Sequence, residues 1–540
     1  MNKLLKNLLL FLFFFTVTSI LYISTIHSKF VFDFIDLVFD FQKRGWGDLG
    51  SLISGLSPYL VSKGVIFIAL KIWGFNAYAW YVFSCLLHAL NALLLFLFIE
   101  RIFIHFDYEQ PTIAAGLTAA LFLVSPFHTE AVVWGGALNY LIVSAFVLLH
   151  LHVVFEFIKS GSKLHLAIAV LTLFAAMFSH EWGLFLLPAD FLLLFFLVDD
   201  FKKMLSSKYL LLVILLLTGI AYYFFNQWLR GSLVGHYGAE THLNFKLQEI
   251  IPAFCKYLLK ILLLFTLFPV RIQDKVYAII QQVSVIHSLS LVFLLIAIAC
   301  LVLIWKNKKK FGAMVFFFAL FCVFVMPVLN LYFPYWINIH ADRYCYLPSA
   351  FIYASCVAIL FRSNSFLKFV LPSVGFILSV WFLYSVNSSW SEAGKLTRQL
   401  ERNFKWWDAK RVYILNLPDN FRGAYMYRNL RHSAFEGNFI KYNYLIPQTD
   451  IIEVLNYNLS EYSDSVIVEK MNDAQLKVTL SKTGIWWWYK TLGAFDYETD
   501  KVKVDVDDNG HFYVVDFKQR QMGDVFLYQA NGEWREVLNF

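Results

Sequence analysis

The chain has 540 residues, of which 59% are hydrophobic, 19% aromatic and only 15% charged. Soluble domains usually run at about a quarter charged, so lipid is the expected solvent for much of this chain. The formal net charge of +7 comes with no basic stripe or nucleic-acid motif. It reads as membrane-topology charge, and no nucleic-acid partner is expected.

A helix needs about 20 apolar residues to cross a bilayer. Residues 4–24 qualify and follow Lys3 and Lys6. No small-residue cleavage site follows them, so they are expected to stay as a first span with a cytoplasmic N-terminus. Further spans are predicted at 78–100, 112–128, 137–158, 164–180, 183–199, 207–225, 286–305, 311–330, 346–362 and 366–388. With these, Arg101, Lys159, Lys163, Lys202, Lys203, the run Lys306–Lys310, Arg362 and Lys368 fall in cytoplasmic loops, as the positive-inside rule asks. The fold class is thus a polytopic α-helical membrane protein of about eleven spans.

Two lysine-bearing apolar segments, 57–74 and 247–270, fit an outer-surface or re-entrant position. Lys63 and Lys71 in the first, and Lys256 and Lys260 in the second, would snorkel to the headgroups. The cysteines, Cys85, Cys255, Cys300, Cys322, Cys345 and Cys356, lie in or beside apolar runs without a CxxC pair. They are expected to be small buried hydrophobes.

Residues 1–390 form the membrane domain, and 391–540 a β-rich extracytoplasmic domain of roughly 150 residues. Residues 392–411 read as a charged amphipathic helix leading into it. Strands are predicted at 411–417, 464–470, 476–480, 500–506, 511–517 and 524–528, with a turn at Pro418-Asp419-Asn420. Asp507-Asp508-Asn509-Gly510 and Asn531-Gly532 are hairpin signals.

Ionisable groups at membrane depth are costly, so their recurrence at one end of the spans suggests a site. Asp33, Asp36 and Asp40 follow the first span, with Asp48 beyond. Carboxylates at this spacing share a helical face. Beside Phe and Leu, one could serve as a base, or a pair could hold a divalent cation. The plain alternative is an acidic face meeting water. His128 and Glu130 flank the turn after the third span and could bind a phosphate or a substrate oxygen, or simply cap helix ends. His180 and Glu181 stand at the end of the fifth span. His340, Asp342 and Arg343 open the tenth, where an Arg fork suits a lipid phosphate and an Asp342–Arg343 pair is the structural alternative. No Gly-rich phosphate loop, nucleophile elbow or zinc-ligand spacing is present, which disfavours nucleotide-powered chemistry.

Four features occur in order: the acidic first outer loop, Leu-His-Ala-Leu-Asn-Ala-Leu-Leu (87–94), Pro-x-His-Thr-Glu-Ala-Val-x-Trp (126–134) and Asp-Arg-Tyr-x-Tyr-Leu-Pro-Ser (342–349). In this order they resemble the GT-C superfamily of polytopic glycosyltransferases, in the branch of the TMTC-type O-mannosyltransferases and their bacterial counterparts. Ser-His-Glu (179–181) is similar to that branch's Ser-Lys-Glu. The resemblance implies sugar transfer from a polyprenyl-phosphate donor to a glycan, lipid or protein acceptor on the outer face. Asp33 or Asp36 would be the base. Arg343 and His128 would stabilise the leaving phosphate, with Glu130, His180, Glu181 and Asp342 lining the substrate site. A divalent cation, if any, would sit on Asp33 and Asp36.

The chain departs from the branch where Trp134 is followed by Gly135-Gly136-Ala137-Leu138-Asn139-Tyr140 in place of a Gly-Arg motif. The β-rich tail stands where tetratricopeptide repeats are frequent, and its Trp486-Trp487-Trp488 run could stack on sugars or pack a core. An oligosaccharide polymerase or ligase, or a non-catalytic protein of glycan assembly, is the alternative. The expected location is a bacterial inner membrane, among its lipids, with the tail in the periplasm.

Overall fold

The computed structural model describes residues 2–31, 34–43, 45, 59–198, 201–231, 242–243, 246–332, 341–363, 365–427, 435, 449–481, 485–486, 495–538 and 540. Apolar helices dominate up to Asn403: α1 (Lys3–Tyr22), α2 (Phe34–Lys43), α3 (Leu60–Trp73), α4 (Ala77–His105), α5 (Pro111–Leu123), α6 (Thr129–Val133), α7 (Leu138–Ser160), α8 (Lys163–Met177), α9 (Leu186–Leu197), α10 (Phe201–Arg230), α11 (Leu247–Leu263), α12 (Val270–Ile280), α13 (Val283–Asn330), α14 (Tyr346–Leu360) and α15 (Leu367–Asn403). Among the described residues, six helices are long and apolar enough to cross a membrane, or seven when the pair α5 and α6, bent by 56°, counts as one. Large apolar side chains point outward on them, Leu291, Leu294 and Leu301 on α13 and Trp381 on α15 among them, a surface compatible with lipid.

That number is smaller than the eleven expected, for local reasons. The run 164–180 ends in a 15-residue helix, α8. The run 183–199 opens with a 3₁₀ turn, Glu181–Phe185, and leaves only the 12-residue α9. The runs 286–305 and 311–330 meet end to end in α13. There Asn307 is non-helical (φ −158°, ψ 86°), and its side chain accepts from Lys310 N at 2.8 Å as an N-cap for the second half.

The basic loops converge at one end of this bundle. Lys308 Nζ donates to Val198 O (3.0 Å), Lys309 Nζ to His105 O (2.8 Å), and Arg362 Nη2 to Lys309 O (2.6 Å). The two lysines meet carbonyls at or beside the C-termini of α9 and α4, where the backbone dipole favours positive charge. At the other end, the residues after α1 thread between α6 and α15. Ser28 Oγ donates to Trp390 O (2.7 Å), and Lys29 Nζ donates to Ser84 Oγ (2.6 Å) and Val132 O (2.7 Å).

The helix α15 runs without a break from the last apolar span through the charged stretch expected as a separate lead helix. It carries the β-rich unit: β1 (Arg411–Ile414), β2 (Leu417–Phe421), β3 (Ala424–Tyr425), β4 (Asp450–Glu453), β5 (Asn456–Leu459), β6 (Val466–Asn472), β7 (Gln475–Leu480), β8 (Ile485–Trp486), β9 (Tyr497–Glu498), β10 (Val502–Val506), β11 (Phe512–Phe517), β12 (Val525–Ala530) and β13 (Glu533–Glu536). Three sheets result, in the orders β8-β5-β2-β3, β9-β10-β11-β7-β6 and β13-β12-β1-β4. Alternation places Tyr513, Val515 and Phe517 of β11 inward. Asn531-Gly532 makes a two-residue hairpin with both φ positive (53° and 73°), and Asp507–Gly510 turns β10 into β11.

Pro418-Asp419-Asn420 is not the expected turn. It lies in β2, paired in parallel with β5, and the chain reverses at Arg422-Gly423. Asp419 and Asn420 are buried there, and Asn420 Oδ1 accepts from Gly423 N at 2.9 Å. The Asx side chain therefore braces the reversal from two residues before it.

Candidate functional site

The bend at Pro126 turns α6 inward, so Glu130 projects into the bundle rather than toward solvent. Thr129 Oγ1 donates to Asn387 Oδ1 (3.0 Å), and Asn387 Nδ2 donates to Leu21 O (2.8 Å). These bonds lock α6 to α15 and α1. Opposite stands a 3₁₀ turn, Asp342–Cys345, that opens α14.

Glu130 and Arg343 form an ion pair with both side chains almost wholly buried. Glu130 Oε2 also accepts Arg343 N at 3.0 Å, and Glu130 Oε1 accepts Tyr425 OH at 3.1 Å. The guanidinium lies over Trp134 (5.3 Å) and Tyr344 (4.7 Å), so its faces are covered by aromatic rings. The neighbouring Asp342 does not pair with Arg343. Its carboxylate takes Lys260 Nζ at 2.5 Å. Lys260 is 1% exposed and Lys256 is buried with its ammonium 4.8 Å from the Tyr277 ring. Neither lysine snorkels as expected, because α11 packs along α13 and turns them inward. Glu130 also acts electrostatically on both Lys260 and Asp342, so the two pairs form one cluster of four charges.

Tyr140 joins this cluster to His180 and Glu181, its ring standing 5.8 Å from Tyr344 and 4.5 Å from His180. His180 Nδ1 accepts from Trp182 N (3.3 Å), which leaves the proton on Nε2, 3.5 Å from Glu181 Oε2. Glu181 also accepts from the Tyr59 hydroxyl. Burial lowers the His180 pKa; Glu181 raises it in part, and Arg343 lowers it further.

His128 is not part of this cluster. It sits deeper, with Nε2 2.8 Å from Ser349 Oγ and its ring edge-on to His88 at 5.5 Å. Asn91 and His88 both bond Tyr346 OH (3.0 and 2.7 Å). The motif residues of 87–94, 126–134 and 342–349 thus meet in two places: this buried polar knot, and the ionic cluster beside it.

Asp33 and His340 lie outside the described residues, as do Asp48, Trp487 and Trp488. The backbone of Asp36 is in α2, but its side chain is outside them. The position of α2 is nonetheless informative. A Cβ on Gly135 would fall 2.2 Å from the Phe34 ring, Gly135 N donates to Lys29 O (3.1 Å), and Trp134 Nε1 donates to Val31 O (3.1 Å). The start of the acidic helix therefore rests on the residue next to Trp134, which itself covers Arg343. Among the described residues, no three or more His, Cys, Asp or Glu side chains are grouped to hold a metal ion. The six cysteines are free thiols.

Four contributors were missed from sequence. Lys260 carried a signal, an ionisable group inside an apolar run. Tyr425 carried none, since it comes from the β-rich unit 295 positions after Glu130. Tyr140 and Tyr59 were likewise inconspicuous among 29 tyrosines. The chain matches no protein-family model and no curated protein.

Proposed function

We propose that this chain is a membrane glycosyltransferase that moves a sugar from a polyprenyl-phosphate donor to an acceptor on the face where the β-rich unit lies. The observation that carries the reading is the cluster of Arg343 and Lys260, each held by one carboxylate, beside the docking point of the acidic helix α2. Two fixed cations in a water-poor aromatic setting suit a lipid phosphate. The carboxylates keep them from being buried uncompensated before the donor arrives. Tyr425 OH would then stay with Glu130 as Arg343 turns part of its fork to phosphate oxygens.

In the transfer, Asp33 or Asp36 takes the proton from the acceptor hydroxyl while its oxygen attacks the anomeric carbon. The bond from that carbon to the phosphate oxygen breaks, and polyprenyl phosphate departs with the electron pair, stabilised by Arg343 and Lys260. The sugar inverts. His180 and Glu181, linked through Tyr140, would orient sugar hydroxyls. The in-order motifs similar to the GT-C superfamily support this reading. The same reading carries about eleven crossings, counting both halves of α13, with the basic-loop end cytoplasmic and the β-rich unit periplasmic in a bacterial inner membrane.

The test is transfer from a set of polyprenyl-phosphate sugars by purified protein, comparing wild type with Asp33→Asn, Asp36→Asn and Arg343→Ala. Collapse in one Asp variant identifies the base. Wild-type binding of such lipids without transfer favours a polymerase, a ligase or a non-catalytic protein of glycan assembly. Absence of both binding and transfer ends the glycosyltransferase reading.

A further inference from the structure

A second polar site lies between α15 and the β-rich unit. It is an open, shallow cleft of about 480 Å³. Ser389 and Glu392 come from α15, Phe421 and Arg422 from the tip of the β2–β3 hairpin, and Glu461 and Tyr462 from the turn after β5.

The walls are held in place by their own bonds. Arg422 adopts φ +50° and Gly423 φ +84°, a left-handed reversal that costs a non-glycine residue energy and recurs where a side chain must be presented. Arg422 Nε donates to Ser460 O (2.6 Å), which fixes the plane of the fork and leaves its Nη groups directed elsewhere. The buried Asp464 carboxylate accepts from both Ser460 N and Glu461 N at 2.7 Å, clamping the turn that offers Glu461 and Tyr462. Tyr462 OH donates to Gln399 Oε1 (2.8 Å) while its ring stays accessible.

The chemistry of this lining is selective. Glu392 is already paired with Lys395 at 2.7 Å, which sets Glu461 against Arg422, a lining of balanced charge that suits a neutral ligand better than a phosphate headgroup. A ring face, an Arg fork, carboxylates and a serine hydroxyl are the groups that grip vicinal hydroxyls and the C–H face of a sugar. Sequence neighbours of the lining residues connect the site to the ionic cluster. Tyr425, three places after Arg422 on the same hairpin, bonds Glu130, and Trp390, next to Ser389, lies 5.7 Å from the Tyr425 ring.

We infer that this cleft seats an uncharged saccharide as the acceptor, presenting it toward the Glu130–Arg343 cluster. The inference rests on the transferase reading for the word acceptor, and on the cleft alone for the binding. The sugar could arrive as a free oligosaccharide or as the headgroup of a glycolipid.

Full-length protein in nanodiscs tests it by saturation-transfer NMR with maltotetraose, mannotriose, galactobiose and chitotriose as probes. At least one probe is expected to bind, with affinity falling about tenfold or more in Tyr462→Ala and in Ser389→Trp, which fills the cleft. Tyr384→Ala, on the outward face of α15, should leave binding unchanged. Weaker probe binding in nanodiscs containing monoglucosyl diacylglycerol than in phosphatidylcholine alone would identify the headgroup as the source, and equal binding the free glycan. If no probe binds, or both cleft variants bind as wild type does, the inference falls. Binding requires no donor, so its failure is separate from a failure of transfer.

Discussion

Glu130 holds Arg343 at two points, with one carboxylate oxygen on the guanidinium and the other on the backbone N–H at 3.0 Å. The side chain thus sets both the charge and the local backbone of the turn that opens α14. Removing one partner of a buried pair costs about 3–5 kcal/mol, largely because the other charge is left uncompensated. Glu130→Ala and Arg343→Ala should each destabilise by that order in denaturant titrations of detergent-solubilised protein. Their double variant should lose less than the sum. Additive losses would mean that the pair is not coupled.

Lys260 and Asp342 make the parallel case across α11 and the start of α14. Lys260→Met should lower the melting temperature by leaving Asp342 without its cation, and Lys260→Met with Asp342→Leu should recover part of the loss. Should Lys260→Met melt as wild type does, α11 is not anchored by this pair.

Lys29 is buried, and its two bonds go to the neutral acceptors Ser84 Oγ and Val132 O. Burial pushes its pKa down to about 7, from 10.5 for a free lysine. Between those values the unfolded chain binds more protons than the folded one, so stability rises with pH through this window. Below about 7 both states are protonated and the cost of burying the ammonium is constant. Wild type should therefore gain melting temperature from pH 7 to 9.5 relative to Lys29→Met. Parallel profiles for the two proteins would show that the amine is not neutral when folded.

Gly135 has no room for a Cβ, because the Phe34 ring occupies the space. Gly135→Ala should cost about 1–3 kcal/mol by overpacking and shift α2 away from Trp134. Phe34→Leu in the same chain should restore much of the stability. If transfer activity depends on α2 carrying the base, activity should fall in the single variant and rise in the double one. A stable, fully active Gly135→Ala would separate α2 from the site.

Much of the frame was legible because its signals are local. Apolar runs between basic loops marked the helices, and Asn531-Gly532 marked its hairpin through the positive φ that such a turn requires. The motif residues Glu130, Asp342, Arg343, His180 and Glu181 stand out in the sequence as ionisable groups in an apolar setting, and the structure brings them into one region. Their partners were not legible. Asp342 sits beside Arg343 in sequence, yet a 3₁₀ turn sends the two side chains to Lys260 and Glu130. The strand at Pro418–Asn420 was misread for a similar reason. Turn-favouring residues were stabilised in a strand by long-range pairing with β5 and by the brace from Asn420 to Gly423.

The unbroken helix α15 grips the β-rich unit, where Tyr427 OH donates to Thr397 O (2.7 Å) and Trp534 Nε1 to Leu400 O (2.8 Å). Tyr425 of that unit touches Glu130. The unit and the ionic cluster therefore share one compartment by construction. An epitope placed on an exposed β-hairpin, probed from each side of sealed vesicles, would report the address of the chemistry without any assay of the chemistry itself.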